Sequence, residues 1–265
     1  MSSAFVFPGG VMEESDKEKK WFELLKKKDC QLVKPNETEL AFKVCALREV
    51  FEETGLFISS PVVKQSLVQE KRKQVEKNAS VFFQLFKETK SFPQVDKLKK
   101  WSRWITPVFE KYRYDTLFYA ILVDEYYAKN TVIDEREVTT HLWMTPEEAL
   151  QKFEKKEINL FPPTFLTIAD MLRFKDVQSL FNAERCPLPI LPVPFPFSGD
   201  FICIALPGDE KYVGESSVEN KGVHRVKMQS TQLSLFEYEC NLERKHKNFL
   251  VPQQFSSIIK SESKL

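Results

Sequence analysis

Apolar residues along this chain change their spacing several times, and each change predicts an element. Over residues 41–56, AFKVCALREVFEETGL, no Gly or Pro intervenes until Gly55, and Val44, Leu47, Val50 and Phe51 recur at spacings of three and four. That is the period of an amphipathic helix. Gly55 supplies its stop at a left-handed position, and Asn36 or Thr38 is the candidate N-cap. Upstream, AFVF breaks at Pro8-Gly9-Gly10, the pattern of a strand entering a loop. Residues 15–28, SDKEKKWFELLKKK, set Trp21, Phe22, Leu24 and Leu25 among charges and suit a surface helix. After Gly55, LFISSPVV reads as a short strand. Residues 64–90 alternate charge with VFFQLF in a helical manner, which predicts an inserted helical cap.

The second half reads differently. TLFYAILV is apolar, β-branched and aromatic, and predicts the best-buried strand of the chain. EREVTTHLWM alternates as a strand should, and Thr145-Pro146-Glu147-Glu148 sets an N-cap, a first-turn proline and first-turn acids at the start of a helix. TFLTIADMLRFKDVQSLF predicts another helix. PLPILPVPFPF has five prolines in eleven residues, so an extended or polyproline connector is expected. FICIALPGDEKYVG and VHRVKMQSTQLSLFEYECNL alternate again and predict a small β-rich C-terminal extension. No internal repeat is visible.

Composition narrows the class. The 265 residues are 42% apolar with 23 Phe, which favours a packed body over disorder. The 39 basic and 38 acidic side chains leave a net charge of +1, so no global field steers the protein to nucleic acid or to a membrane. Cys30, Cys45, Cys186, Cys203 and Cys240 are odd in number, widely spaced and without a C-x-x-C pair, which predicts reduced intracellular thiols and no zinc site. No membrane-spanning run is present, and MSSAFVFPGG lacks the charged-then-apolar order of a signal peptide. Ser263-Lys264-Leu265 spells the peroxisomal address S-K-L, which an import receptor reads.

Candidate chemistry begins on the 41–56 helix. Glu49, Glu52 and Glu53 stand at i, i+3 and i+4, so three carboxylates crowd one face, where like charges repel. A hard divalent cation such as Mg²⁺, which prefers oxygen ligands together with substrate phosphates, would relieve that crowding; a solvated acidic face is the alternative. The segment 97–114 interleaves Trp101, Trp104, Phe109, Tyr112 and Tyr114 with Arg103, Lys111 and Arg113. It is suited to stacking an adenine beside phosphates, although core packing is the commoner use of such aromatics. His141, His224 and His246 lack ligand spacing and read as structural or exposed.

The nine residues REVFEETGL, Arg48 to Leu56, match R-E-U-x-E-E-x-G-U with U aliphatic, the second half of the Nudix signature, and the chain resembles the Nudix hydrolases on that ground. The first half, G-x5-E-x7 before the arginine, is met in part. Phe7-Pro8-Gly9-Gly10 is followed six residues after Gly10 by Asp16, where the family has Glu, and 32 positions then separate Asp16 from Arg48. An insertion inside the signature, together with VFPGGVMEESD, WSRWITPVFEKYRYDT, LWMTPEEAL, KEINLFPPTF and LPGDEKYV, makes the chain similar to the peroxisomal coenzyme A diphosphatase branch.

The resemblance implies an α+β fold, a Nudix-like mixed sheet sandwiched between helices, with a helical insertion and a small C-terminal β-rich extension. The implied organisation is a Nudix domain at 1–184 with insertions at about 17–38 and 64–100, a connector at 185–198, the extension at 199–254 and an exposed tail at 255–265. It also implies Mg²⁺ or Mn²⁺ on Glu49, Glu52 and Glu53, with Glu52 or Glu137 activating water, Arg48 orienting a carboxylate, and Gly9 and Gly10 bordering the diphosphate. The implied partners are coenzyme A or acyl-CoA and the import receptor, in the peroxisome. Hydrolysis of another nucleoside diphosphate derivative, or a non-catalytic binding module, remains an alternative. Relatives of this kind carry an LLLLQR-like strand before their FPGG, whereas this sequence starts a few residues before it, so an edge of the sheet is expected to be filled by other strands or by sequence upstream of Met1.

Overall fold

The computed structural model of the chain describes residues 4–26, 36–129, 143–183, 185, 188–196, 201–216, 219–229 and 232–241. In chain order the elements are β1 (Ala4–Phe5), a 3-10 turn (Glu14–Lys17), α1 (Lys20–Lys26), α2 (Glu37–Thr54), β2 (Ser59–Ser60), a 3-10 turn (Gln65–Leu67), α3 (Gln69–Lys77), α4 (Ser80–Glu88), β3 (Phe92–Pro93), a 3-10 turn (Val95–Lys97), β4 (Lys99–Ile105) and β5 (Asp115–Ala120). They continue with α5 (Glu125–Lys129), α6 (Pro146–Glu154), β6 (Asn159–Leu160), α7 (Pro162–Met171), α8 (Val177–Asn182), β7 (Pro189–Ile190), β8 (Val193–Pro196), β9 (Phe201–Ala205), β10 (His224–Gln229) and β11 (Gln232–Cys240). Parallel and antiparallel pairs both occur, β1 with β6 and β4 with β7 being parallel, so the fold is α+β with mixed sheets.

These elements form two compact units built from alternating stretches of chain. The unit of Pro8–Lys99 and Tyr119–Trp143 carries the carboxylate helix. Its core gathers Leu40, Val44, Leu47 and Phe51 from α2 with Trp21, Phe57, Val75, Phe82 and Phe86. The rings of Phe51, Phe57, Phe82 and Phe86 meet one another at centroid distances of 4.4–5.9 Å, mostly edge to face, as ring quadrupoles prefer. The 64–90 stretch is helical as expected, but Val68, Val75, Phe82 and Phe86 make it part of this core. Asn36 is the N-cap of α2, accepting from the Thr38 N–H at 3.0 Å. Gly55 closes the helix at φ 73°, its N–H donating to the Phe51 carbonyl at 2.9 Å.

The other unit comprises Met1–Phe7, Lys100–Phe118 and Met144–Leu265. Its four-stranded sheet runs β11-β10-β9-β8 and shares one core with α6 and α7 through Leu150, Phe165, Leu166, Ile204, Val226 and Tyr238. The Thr145 N-cap at the start of α6 is formed as the sequence predicts, and Glu148 closes it into a capping box. Three element expectations are corrected. Residues 116–123 contain no fully buried position, because β5 is the end strand of its sheet; β9, flanked on both sides, is the better-buried strand. The single helix expected from Thr164 onward is two helices, since Asp176 and Ser179 form a new capping box at the start of α8. The proline-rich stretch is extended, yet 193–196 pairs with β9 as an edge strand. Pro194 and Pro196 alternate there, so the missing N–H groups fall on the unpaired side. Trp101 and Trp104 are core residues, while Phe109, Tyr112 and Tyr114 are exposed.

Candidate active site

Helix α2 divides its residues between two tasks. Val44, Leu47 and Phe51 face the core and fix the helix; Val50 is half-buried against the same cluster, and Arg48, Glu49, Glu52 and Glu53 are left for the opposite side. Facing them is the segment that follows the Phe-Pro-Gly-Gly loop. There Asp16 accepts from the Glu13 N–H at 2.9 Å, which winds the chain into the 3-10 turn, and the Trp21 indole N–H donates to the Ser15 carbonyl at 2.8 Å.

Arg48 is the hub. Only 3% of it is exposed, and 2% of Asp16. Its Nε and Nη2 donate to Asp16 Oδ1 and Oδ2 at 3.0 and 2.9 Å, a two-pronged pairing that joins residues 32 positions apart. Nη2 also donates to the Val11 carbonyl at 3.0 Å, tying down the loop. Nη1 faces the carboxylates on its own helix, Glu52 Oε1 at 2.9 Å and Glu49 Oε1 at 2.8 Å. Above them the Gly9 N–H reaches Glu53 Oε1 at 3.4 Å. At Gly10 a Cβ would fall 2.5 Å from Glu49 Oε2, so the loop backbone approaches that carboxylate as closely as only glycine allows.

The electrostatics follow from this crowding. Burial pushes the Glu49 and Glu52 carboxyls above their ordinary value, with Arg48 pulling them back and Asp16 adding repulsion. Burial opposes the charge on Arg48, but hydrogen bonds and attraction from Asp16, Glu52 and Glu49 hold its pKa above the usual value. Cys45, whose Sγ lies 3.6 Å from Arg48 Nη2, is pushed up to about 12, first by burial and then by Asp16, so it stays an inert thiol. One guanidinium thus faces three carboxylates, and the surplus negative charge suits a cation. The donor set fits a hard divalent ion, being all carboxylate with no imidazole, and the cradle at Gly10 keeps side-chain bulk away from Glu49. Among the described residues no three acidic, His or Cys side chains already converge on one point; Glu49 and Glu52 turn instead toward Arg48.

The structure therefore brings together Arg48, Glu49, Glu52, Glu53, Gly9 and Gly10. Glu137, and Ser263, Lys264 and Leu265, lie outside the described residues, as do His141 and His246. His224 is buried, its Nδ1 2.6 Å from the Pro207 carbonyl, and burial lowers its pKa to about 4, a structural histidine. Sequence reasoning placed Asp16 in the signature without naming it as the partner of Arg48; its position six residues after Gly10 was the available signal.

The family model described as the NUDT19 Nudix domain matches residues 26–171. The chain is similar to the acyl-coenzyme A diphosphatase NUDT19 of Gallus gallus, at 29% identity over 94% of this chain and 83% of the relative. It is similar to the proteins of that name from Xenopus laevis, at 31% over 80% and 68%, and Homo sapiens, at 27% over 82% and 70%. No solved structure matches the chain.

Proposed function

We propose, on the premise that this chain belongs to the NUDT19 Nudix family, that it hydrolyses the diphosphate bond of coenzyme A and acyl-CoA with Mg²⁺ or Mn²⁺. The products are adenosine 3′,5′-bisphosphate and 4′-phosphopantetheine or its acylated form. As a member of that family it is a Nudix diphosphatase, and the family uses divalent metals. The names of the relatives support the substrate. The observation that carries the reading is the cluster in which Arg48 is locked on Asp16 while Glu49, Glu52 and Glu53 share one helix face under the Gly9-Gly10 loop.

A bound divalent ion lowers the pKa of water and offsets charge on the phosphoryl oxygens. Glu49, Glu52 and Glu53 would hold it. Arg48, itself fixed by Asp16, sets where the Glu49 and Glu52 carboxylates point, through charge-assisted hydrogen bonds. Glu52, or Glu137, takes the proton of the attacking water. Gly9 and Gly10 let the loop backbone border the diphosphate without side-chain bulk. S-K-L at 263–265 supports a peroxisomal location and an import receptor as partner.

The test is turnover of coenzyme A with Mg²⁺, Mn²⁺ or EDTA, with products separated by chromatography. Adenosine 3′,5′-bisphosphate is expected with metal and not with EDTA. Its absence under every metal discards the enzyme reading for this substrate. A far higher kcat/KM for ADP-ribose keeps the mechanism and replaces the substrate.

A further inference from the structure

The last turn of α2 poses an electrostatic problem. It carries Glu52 and Glu53, with Glu49 just before it, and it has no basic side chain of its own, although the carbonyls of a helix C-terminus already bear partial negative charge. The compensating groups come from α3, in the stretch that the sequence marks as an insertion. Arg72, only 4% exposed, donates its Nε–H to the Glu52 carbonyl at 2.7 Å. One turn earlier on the same helix, the Gln69 side-chain amide donates to the Gly55 carbonyl at 2.7 Å. Helix α3 is anchored for this task, with Val75 and its N-cap Val68 fully buried in the core and Glu76 3.8 Å from Arg72 Nε. Glu52 is consequently held at both ends by guanidinium groups, Arg48 on carboxylate Oε1 at 2.9 Å and Arg72 on the backbone oxygen at 2.7 Å.

We propose that Arg72 is a positioning residue for the metal-binding carboxylates, and that α3 is part of the framework of the site. The inference rests on the reading of Glu49, Glu52 and Glu53 as metal ligands. Arg72 fixes the peptide from which the Glu52 side chain departs, and the peptide plane between residues 52 and 53 with it, so two of the three carboxylates inherit their direction from this bond. A capping residue of purely structural value would alter stability and leave the geometry of those oxygens unchanged.

The test uses the full-length chain and Mn²⁺ as probe. Free Mn²⁺ is measured by electron paramagnetic resonance for wild type, Arg72→Gln and Arg72→Lys, with circular dichroism to verify folding. Groups that orient ligands from outside change metal affinity by about 10- to 100-fold, so Arg72→Gln is expected to raise the Mn²⁺ Kd about 10-fold. Arg72→Lys keeps the charge but not the planar fork; it is expected to restore part of the affinity and serves as the readout if the Gln variant does not fold. In turnover of coenzyme A, kcat is expected to fall while KM changes little. Wild-type Mn²⁺ affinity in a folded Arg72 variant, whatever its Tm, overturns the inference, as does a wild-type chain that binds no Mn²⁺. A wild type that binds Mn²⁺ in an Arg72-dependent way yet leaves coenzyme A intact rejects the substrate alone.

Discussion

Asp16 and Arg48 show how unequal the two members of a motif are when read from a sequence. The arginine and its three glutamates sit within six residues on one helix, so their proximity follows from the helical period alone. Asp16 meets Arg48 across 32 positions, and no local rule joins them; the resemblance puts both in one signature without pairing them. The pair is almost wholly buried, which makes it costly to break, because removing one partner leaves the other charge uncompensated. Asp16→Asn keeps the size of the side chain and removes its charge, and is expected to destabilise the fold by about 3–5 kcal/mol. Urea unfolding checks this through a lowered midpoint at unchanged slope. A midpoint within experimental error of wild type would mean that Val11, Glu49 and Glu52 suffice to hold Arg48. Arg72 was beyond the reach of sequence reasoning altogether. Its partner is a backbone oxygen, and nothing in the spelling of a chain says which carbonyl a distant guanidinium will find.

Among the elements, those defined by their own residues were legible and those defined by neighbours were not. Helix α2, its cap at Asn36 or Thr38, of which the structure uses Asn36, and its Gly55 stop are readable because period, cap and stop are all local. The burial of β5 is not written in its own residues, since a strand at the end of a sheet and one in the middle can share a sequence pattern while their environments differ. The break before α8 did have a local sign in Asp176 and Ser179, but a continuous apolar period outweighed it. The loop carrying Gly9 and Gly10 illustrates the same division between adjacent residues. Both glycines belong to one motif, yet a Cβ at Gly9 meets nothing within 4 Å, whereas one at Gly10 falls 2.5 Å from Glu49 Oε2. Gly10→Ala must therefore displace either the loop or the Glu49 carboxylate. A misplacement of about 1 Å at a reacting centre costs on the order of 100-fold, so turnover is expected to drop by about that factor. Gly9→Ala is expected to stay within a few-fold of wild type. Steady-state kinetics of the two purified variants decide it, and equal losses would show that the loop acts through its room for the diphosphate and not through its approach to Glu49.

Two units with separate cores, each stitched from alternating stretches of chain, have no local sign in the sequence, because which stretches share a core is decided by contacts between residues far apart along it. Charge and hydropathy, by contrast, are properties of the whole molecule that the sequence states outright. A net charge of +1 gives no long-range attraction toward an anionic surface, and no helix among the described residues is long and apolar enough to cross a membrane. Ser263-Lys264-Leu265 has the form of an address that an import receptor reads. A receptor that reads a terminal tripeptide needs both the side chains and the free carboxylate, so deleting the three residues and adding a single residue after Leu265 should be equivalent. With a fluorescent protein fused ahead of Met1, the wild-type chain is expected to coincide with a peroxisomal marker in cells, and both altered chains to spread through the cytosol. Because the catalytic residues proposed here lie between Gly9 and Glu137, the purified deletion variant is expected to turn over coenzyme A at the wild-type rate. Peroxisomal retention of both altered chains would place the address elsewhere in the molecule, and a loss of turnover on deletion would tie the tail to the chemistry instead of to transport.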